Sequence, residues 1–228
     1  MGIPKLFRKK ITNVTPVGHP RLDEYFTEIK NENIWREKEK IKIIYAPHHS
    51  FEKRSLKFGT FAWSGKKILE LAKKYSNEAT FILKPHPRFD YAILSNNIMT
   101  EDELNSFYKE WQVCGEIYDQ GDYFDLFRTS DALITDCVSF LAEYLPTKKP
   151  IIQLKRKDSM KFNSFGKAIS KDFYGCYNEK ELDDVFEEVI INKNDFLKEK
   201  RIKSAEEIFQ FKSKVSKKII AEIEKVLG

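Results

Sequence analysis

Short apolar runs rich in β-branched residues alternate along the chain with stretches in which apolar residues recur every three or four positions. Ile41-Lys-Ile-Ile-Tyr-Ala46 predicts a buried strand that stops at Pro47. Ala79-Thr-Phe-Ile-Leu83 predicts the next, halted by Lys84-Pro-His-Pro87. Ala132–Thr135 and Pro150–Leu154 predict a third and a fourth, and Phe173–Cys176 a fifth. Between them, Ile68, Leu69, Leu71, Ala72 and Tyr75 mark one face of a helix. Thr100 and Glu103 have the spacing of a capping box, opening a helix that carries Phe107, Tyr108 and Trp111. Ser139 to Leu145 predicts a short helix closed by Pro146. Asn178 caps another, with Leu182, Val185, Phe186, Val189 and Ile190 on its apolar face. Over residues 193–228, Ile202, Ala205, Ile208, Val215, Ile219, Ile223 and Val226 recur at helical spacing with Lys and Glu between them. This predicts an amphipathic helix or helix pair, lying on the domain surface or docking onto a neighbouring domain.

Strands separated by helices require right-handed crossovers and a parallel sheet covered on both faces. The expected fold class is α/β, an open, Rossmann-like doubly wound parallel sheet over residues 31–192. In such folds ligands sit beyond the carboxyl ends of the strands. The residues that follow each strand are therefore the ones to inspect.

Composition narrows the picture. The 228 residues carry 40 Lys+Arg against 35 Asp+Glu, a formal charge of +5, with 41% hydrophobic residues. That balance excludes a disordered chain. No apolar run reaches the roughly 18 residues of a membrane span. The charge surplus suits an anionic small molecule and is too mild to argue for nucleic acid. Cys114, Cys137 and Cys176 form no CxxC pair or disulfide framework, which points to a reduced, cytoplasmic setting. The start of the chain has no apolar core of a secretory signal. Lys5, Arg8, Lys9 and Lys10 beside Leu6 and Phe7 are compatible with peripheral contact at the inner face of the plasma membrane, or with a simple basic terminus.

Three strand ends hold candidate chemistry. Lys84, His86 and Arg88 alternate, so continued strand geometry would turn all three to one side, where they could clamp a pyrophosphate. A turn with exposed basic groups is the alternative. His48 and His49 follow the first strand. Adjacent residues on extended chain point to opposite sides, so a shared metal ion is not expected, whereas a binding-loop role is. Thr135 and Asp136 end the third strand and lead into a helix bearing Ser139 and Glu143. Backbone N–H groups and the Ser139 hydroxyl there suit phosphate, and Glu143 suits ribose hydroxyls; alternatively Asp136 or Ser139 only caps the helix. GxSxG, GxxxxGK[ST] and GxGxxG are all absent, so neither a hydrolase elbow, a P-loop nor a dinucleotide loop is supported.

Five segments in order carry a resemblance. They are Val17-Gly-His-Pro-Arg-Leu-Asp23, Ile44-Tyr-Ala-Pro-His-His-Ser50, Leu83-Lys-Pro-His-Pro87, Gly121-Asp-Tyr-Phe-Asp-Leu-Phe127, and Ser130-Asp-Ala-Leu-Ile-Thr-Asp-Cys-Val-Ser-Phe-Leu-Ala-Glu-Tyr144 followed by Lys149-Pro-Ile-Ile152. Together they make the chain resemble the CDP-glycerol glycerophosphotransferase family of teichoic-acid and capsule polymer transferases. The resemblance implies one half of a GT-B fold, the donor-binding half, with residues 1–30 a tail and interdomain-type segment that contains His19. It implies transfer of glycerol phosphate from CDP-glycerol to an acceptor hydroxyl, with His86 catalytic and Lys84, Arg88, His48, His49, Thr135, Asp136, Ser139 and Glu143 on the substrate. Val138 replaces the first serine of the family's paired-serine pattern. No WHG motif occurs, so an acceptor domain is expected outside this chain, which is then either a fragment of a longer protein or a half completed by a partner protein. No cofactor is required by this reading beyond the nucleotide-activated donor; the acceptor would be lipid-linked or polymeric. A GT-B glycosyltransferase using a nucleotide-sugar, or a catalytically silent nucleotide-binding module, are the alternatives.

Overall fold

Ile41–Ala46 forms β1, with Ile43 and Tyr45 facing one side and Ile44 and Ala46 the other; all four are buried. Apolar residues on both faces of one strand need helices on both faces of the sheet, and that arrangement is observed. The computed structural model describes residues 14–15, 17–31, 33–52, 56–119, 121–209 and 214–227. The basic cluster Lys5 to Lys10 lies outside them.

Five further strands are β2 (Ala79–Leu83), β3 (Gly115–Ile117), β4 (Ala132–Thr135), β5 (Ile151–Leu154) and β6 (Tyr174–Cys176). They pair in parallel in the order β3-β2-β1-β4-β5-β6. The sheet therefore grows outward in both directions from β1 and β4, and the chain's path reverses between them. One face is covered by α1 (Phe61–Lys74), α2 (Phe89–Ser95), α3 (Glu101–Cys114) and α7 (Glu179–Val185), around Phe81, Leu83, Phe107 and Trp111. Asn178 caps α7, and Phe186–Ile191 continue it as a π-helical turn. The other face carries α4 (Phe124–Thr129), α5 (Val138–Tyr144), α6 (Ser164–Ile169) and α8 (Lys198–Phe209), around Trp35, Ile82, Leu133 and Ile151. The Thr100 capping box forms in full: Glu103 N–H donates to Thr100 Oγ1, and Thr100 N–H donates to the Glu103 carboxylate.

The doubly wound sheet and the C-terminal helices agree with the sequence reading, and five of the six strands do so to within a residue. Pro150 and Phe173, the first residues of the fourth and fifth predicted strands, fall just outside β5 and β6. Strand β3 and helices α2, α4 and α6 are additions to it. Gly115–Ile117 is a three-residue edge strand, too short to display a period.

The last helix, α9 (Val215–Leu227), packs back on the start of the chain, against the 3-10 turn Pro20–Phe26. Asp23 accepts hydrogen bonds from the N–H groups of Val215 and Ser216, satisfying donors that the first helical turn leaves open. Gly18 has φ +103°, and a Cβ there would press on the Val215 side chain at 3.1 Å. Arg128 and Asp125 of α4 tie down the following residues. Asp125 accepts from the N–H groups of Lys30 and Asn31, and Arg128 donates to the carbonyls of Thr27 and Glu28. The side chains of Ile208 and Val226, part of the predicted stripe, lie outside the described residues.

Candidate functional site

β1, β2 and β4 all deliver their next residues to the same edge. His48 and His49 follow β1, His86 follows β2, and Asp136 follows β4. The three imidazoles are in contact. Ring centroids lie 4.4 Å apart for His48–His49, 3.9 Å for His49–His86 and 5.6 Å for His48–His86. The expectation that His48 and His49 diverge is thus corrected. Extended geometry ends at Ala46, and the loop that follows folds both rings the same way. Among the described residues no three His, Cys, Asp or Glu side chains are arranged to hold a metal ion.

Hydrogen bonds select the tautomers. Arg88 N–H donates to His86 Nδ1 at 3.0 Å. Ser50 N–H donates to His48 Nδ1 at 3.2 Å, and Phe58 N–H donates to the Ser50 hydroxyl, which leaves that hydroxyl's proton for His48 Nδ1. An Nδ1 that accepts places the ring proton on Nε2. Both rings are therefore neutral donors. Burial, then His49 and His86, push His48 down to about 4. Burial, then His49, Arg88 and Lys84, push His86 down to about 4. Burial and the Arg88 charge also lower His49. The cluster stays uncharged near neutrality and sits among fixed cations.

The strand geometry that the alternation assumed does not continue through Lys84, His86 and Arg88, although Lys84 and Arg88 both act on His86. The strand ends at Leu83, and Pro85 and Pro87 turn the chain so that Arg88 becomes the exposed residue before α2. Arg88 stays close enough to depress both His49 and His86. Lys84 is only 7% exposed, with its ammonium 5.8 Å from the Tyr118 ring and 6.0 Å from the Tyr123 ring. Burial lowers its pKa, against the pull of Asp119 and Cys137.

Asp136 is the brace beneath the crevice. His48 N–H donates to Oδ1 at 2.5 Å; Thr60 N–H and the Thr60 hydroxyl donate to Oδ2 at 2.5 and 2.8 Å. Burial raises its carboxyl to about 7 against those same hydrogen bonds. Thr135 is fully buried: its hydroxyl donates to the Ala46 carbonyl at 2.6 Å and accepts from Cys137 N–H at 2.9 Å. Both residues spend their polar atoms joining the β1 and β4 loops. Neither Asp136 nor Ser139 caps α5, which begins at Val138 after Cys137 without a side-chain cap. Ser139 is exposed, 3.4 Å from the Cys137 sulfur. Glu143 accepts the Tyr123 hydroxyl at 2.5 Å, and its backbone carbonyl accepts the Tyr25 hydroxyl.

Tyr123 is the residue that the sequence reading passed over. Its ring lies 5.0 Å from the Arg21 guanidinium and near Lys84, and its hydroxyl reaches Glu143. Arg21 and Tyr123 both stand inside the quoted resemblance segments; membership of those segments was the available signal.

A strand order of 3-2-1-4-5-6, with polar residues converging beyond β1 and β4, defines one Rossmann-like half of a GT-B architecture. Residues 3–225 match the family model of CDP-glycerol:poly(glycerophosphate) glycerophosphotransferase, and the chain belongs to that family. Among solved structures it is similar to the wall teichoic acid polymerase TagF (18% identity, TM-score 0.57, 90% of this chain and 50% of that one). It is also similar to S. aureus MnaA in a co-structure with UDP (13%, 0.55, 90% and 52%). A third is the Methanocaldococcus jannaschii UDP-GlcNAc 2-epimerase in complex with UDP-GlcNAc and UDP (18%, 0.52, 92% and 54%). At these identities the likeness concerns the fold. The chain spans about half the length of each. No curated protein matches it. No helix among the described residues is long and apolar enough to cross a membrane.

Proposed function

We propose that the crevice beyond β1, β2 and β4 binds the diphosphate of CDP-glycerol, and that the chain supplies the donor side of a glycerophosphotransferase of teichoic-acid or capsular polymer synthesis. The observation that carries this reading is the contact of His48, His49 and His86 at the point where the strand order reverses, flanked by Lys84 and Arg88. Family membership and the nucleotide-bound structures of similar fold support a nucleotide-activated donor.

Each group has a distinct duty in this account. His86 presents Nε2–H to a non-bridging phosphate oxygen and is the catalytic residue, with His48 and His49 beside it. Lys84 and Arg88 offset the two negative charges of the diphosphate. The Ser139 hydroxyl adds a donor, and Val138 next to it adds none. Glu143, oriented by Tyr123, accepts from ribose hydroxyls. Thr135 and Asp136 act from behind by holding the loops in place. An acceptor oxygen attacks the β-phosphorus, the bond to the CMP oxygen breaks, and the electron pair leaves with CMP. The charge accumulating on CMP and the transferred phosphoryl group is what these donors and cations stabilise. The acceptor's proton passes to a base outside this set. The acceptor, polymeric or lipid-linked, approaches from the open side of the crevice.

Isothermal titration with CDP-glycerol, CMP and UDP-GlcNAc tests the reading. CDP-glycerol should bind saturably and at least tenfold more tightly than CMP, which lacks the second phosphate. Absence of binding by every nucleotide overturns it, and preference for UDP-GlcNAc replaces the donor by a nucleotide-sugar.

A further inference from the structure

The fold uses only one edge of the apolar stripe on α9. The start of the chain covers that edge. Val215 is buried against Gly18, its N–H reaches Asp23, and the Thr15 side chain hydrogen-bonds the Glu222 carboxylate. The other edge is bare: Ile220, Ile223 and Leu227 are 55%, 51% and 81% exposed. Val14, next to Thr15, is exposed as well. Single exposed aliphatic side chains are ordinary on a protein surface, whereas several aligned on one helix mark a contact surface.

The spacing and the charges say what fits there. Ile220, Ile223 and Leu227 follow at intervals of three and four residues, the seam spacing of a helix that packs along a second helix. Lys217 and Glu224 border this seam on the side away from the chain start. They stand one heptad apart and so hold the same position in the repeat. Neither has an ion-pair partner within 4.0 Å among the described residues. Glu222 and Lys225, on a different side of α9, pair with each other at 2.6 Å. About a two-fold axis, residue i meets j and j meets i. Two α9 helices running antiparallel about such an axis set Ile220 against the second copy's Ile223, and Lys217 against the second copy's Glu224, at both ends of the contact. The seam and its charged border are therefore both self-complementary. A parallel pair would set Lys217 and Glu224 against positions of no opposite charge, and an anionic lipid surface would repel Glu224.

We propose that α9 is a self-association surface, through which two copies of the chain pair antiparallel, with Ile220, Ile223 and Leu227 in the seam and two Lys217–Glu224 ion pairs along it. The 13 residues of α9 make a helix roughly 20 Å long. A contact of that length belongs to the small interfaces, below about 1,200 Å², so the dimer is weak and concentration-dependent. This pairing is independent of the donor reading, since none of these residues belongs to the crevice.

Sedimentation equilibrium of the whole chain, from low to high micromolar concentration, is the test. The native chain should pass reversibly from monomer to dimer. Ile220→Asp with Ile223→Asp should leave a monomer throughout, with a thermal midpoint like that of the dilute native chain because both positions are exposed. Lys217→Glu alone and Glu224→Lys alone should each weaken the dimer severalfold by setting like charges face to face. The two together should restore it. A native chain that stays monomeric at every concentration overturns the proposal and leaves the face to a neighbouring domain or another partner. A dimer that survives replacement of both isoleucines overturns it too, as does one that the combined charge exchange fails to restore.

Discussion

His49 and His86 meet ring to ring, with centroids 3.9 Å apart, although they follow different strands. The contact depends on β1 and β2 ending at the same level, since Tyr45 pairs with Leu83. Replacing His86 by Asn keeps an amide near the Nδ1 position but leaves no donor at the Nε2 position. We expect at least a tenfold loss in CDP-glycerol affinity with the thermal midpoint nearly unchanged, measured by titration and thermal melting on the same sample.

Asp136 should matter more for folding than for binding. Asp136→Ala strands the His48 N–H, the Thr60 N–H and the Thr60 hydroxyl in a buried place. Each unsatisfied donor costs roughly 1–3 kcal/mol, so a total of at least about 3 kcal/mol is expected. Urea unfolding reads the loss, and faster amide exchange at His48 and Thr60 would localise it.

Acid should loosen the protein through the same cluster. His48 and His86 titrate at about 4 when folded against an ordinary 6.5, so the folded chain holds fewer protons than the unfolded one in between. Their contribution is present above the unfolded value and is lost as pH falls from about 6.5 towards about 4. Asp136 works in the opposite sense. Its folded value of about 7 exceeds the ordinary 3.8, so its contribution declines as pH rises through that window. Two histidines outweigh one carboxyl, and the urea midpoint should fall on acidification below about 6.5. His86→Asn should make that decline shallower; an unchanged slope would contradict the assignment.

Much of the fold was legible because β1, β2 and β4 are buried on both faces and read as nearly unbroken apolar runs. The site was legible only in part. Strand periodicity was carried past Leu83 to align Lys84, His86 and Arg88, yet the prolines that mark His86 also end the extended geometry. For the same reason, the contact between His48 and His49 could not be read from adjacent positions. Tyr123 joins Glu143 and Arg21 through tertiary contacts alone, which no local spacing encodes.

Tyr123→Phe isolates one of those contacts. The ring remains for Arg21 and Lys84, while the hydrogen bond to Glu143 is lost. A destabilisation of about 1 kcal/mol is expected. If Glu143 serves the ribose, the affinities for CDP-glycerol and for CMP should fall together, severalfold each.

Asp23→Ala should release the start of α9 from the Pro20–Phe26 turn. Removing such a cap costs about 1 kcal/mol. Hydrogen exchange should rise at Val215 and Ser216 and leave the sheet unaffected.

The account turns on a neutral His86 that offers Nε2–H to the donor's diphosphate. Nitrogen-15 NMR of the imidazoles, recorded with and without CDP-glycerol, reads this directly. The account predicts the Nε2–H tautomer in the free protein, and a shift of the His86 Nε2 resonance with CDP-glycerol but not with cytidine. A His86 Nε2 resonance that stays in place at saturating CDP-glycerol, or an Nδ1–H tautomer in the free protein, would contradict it.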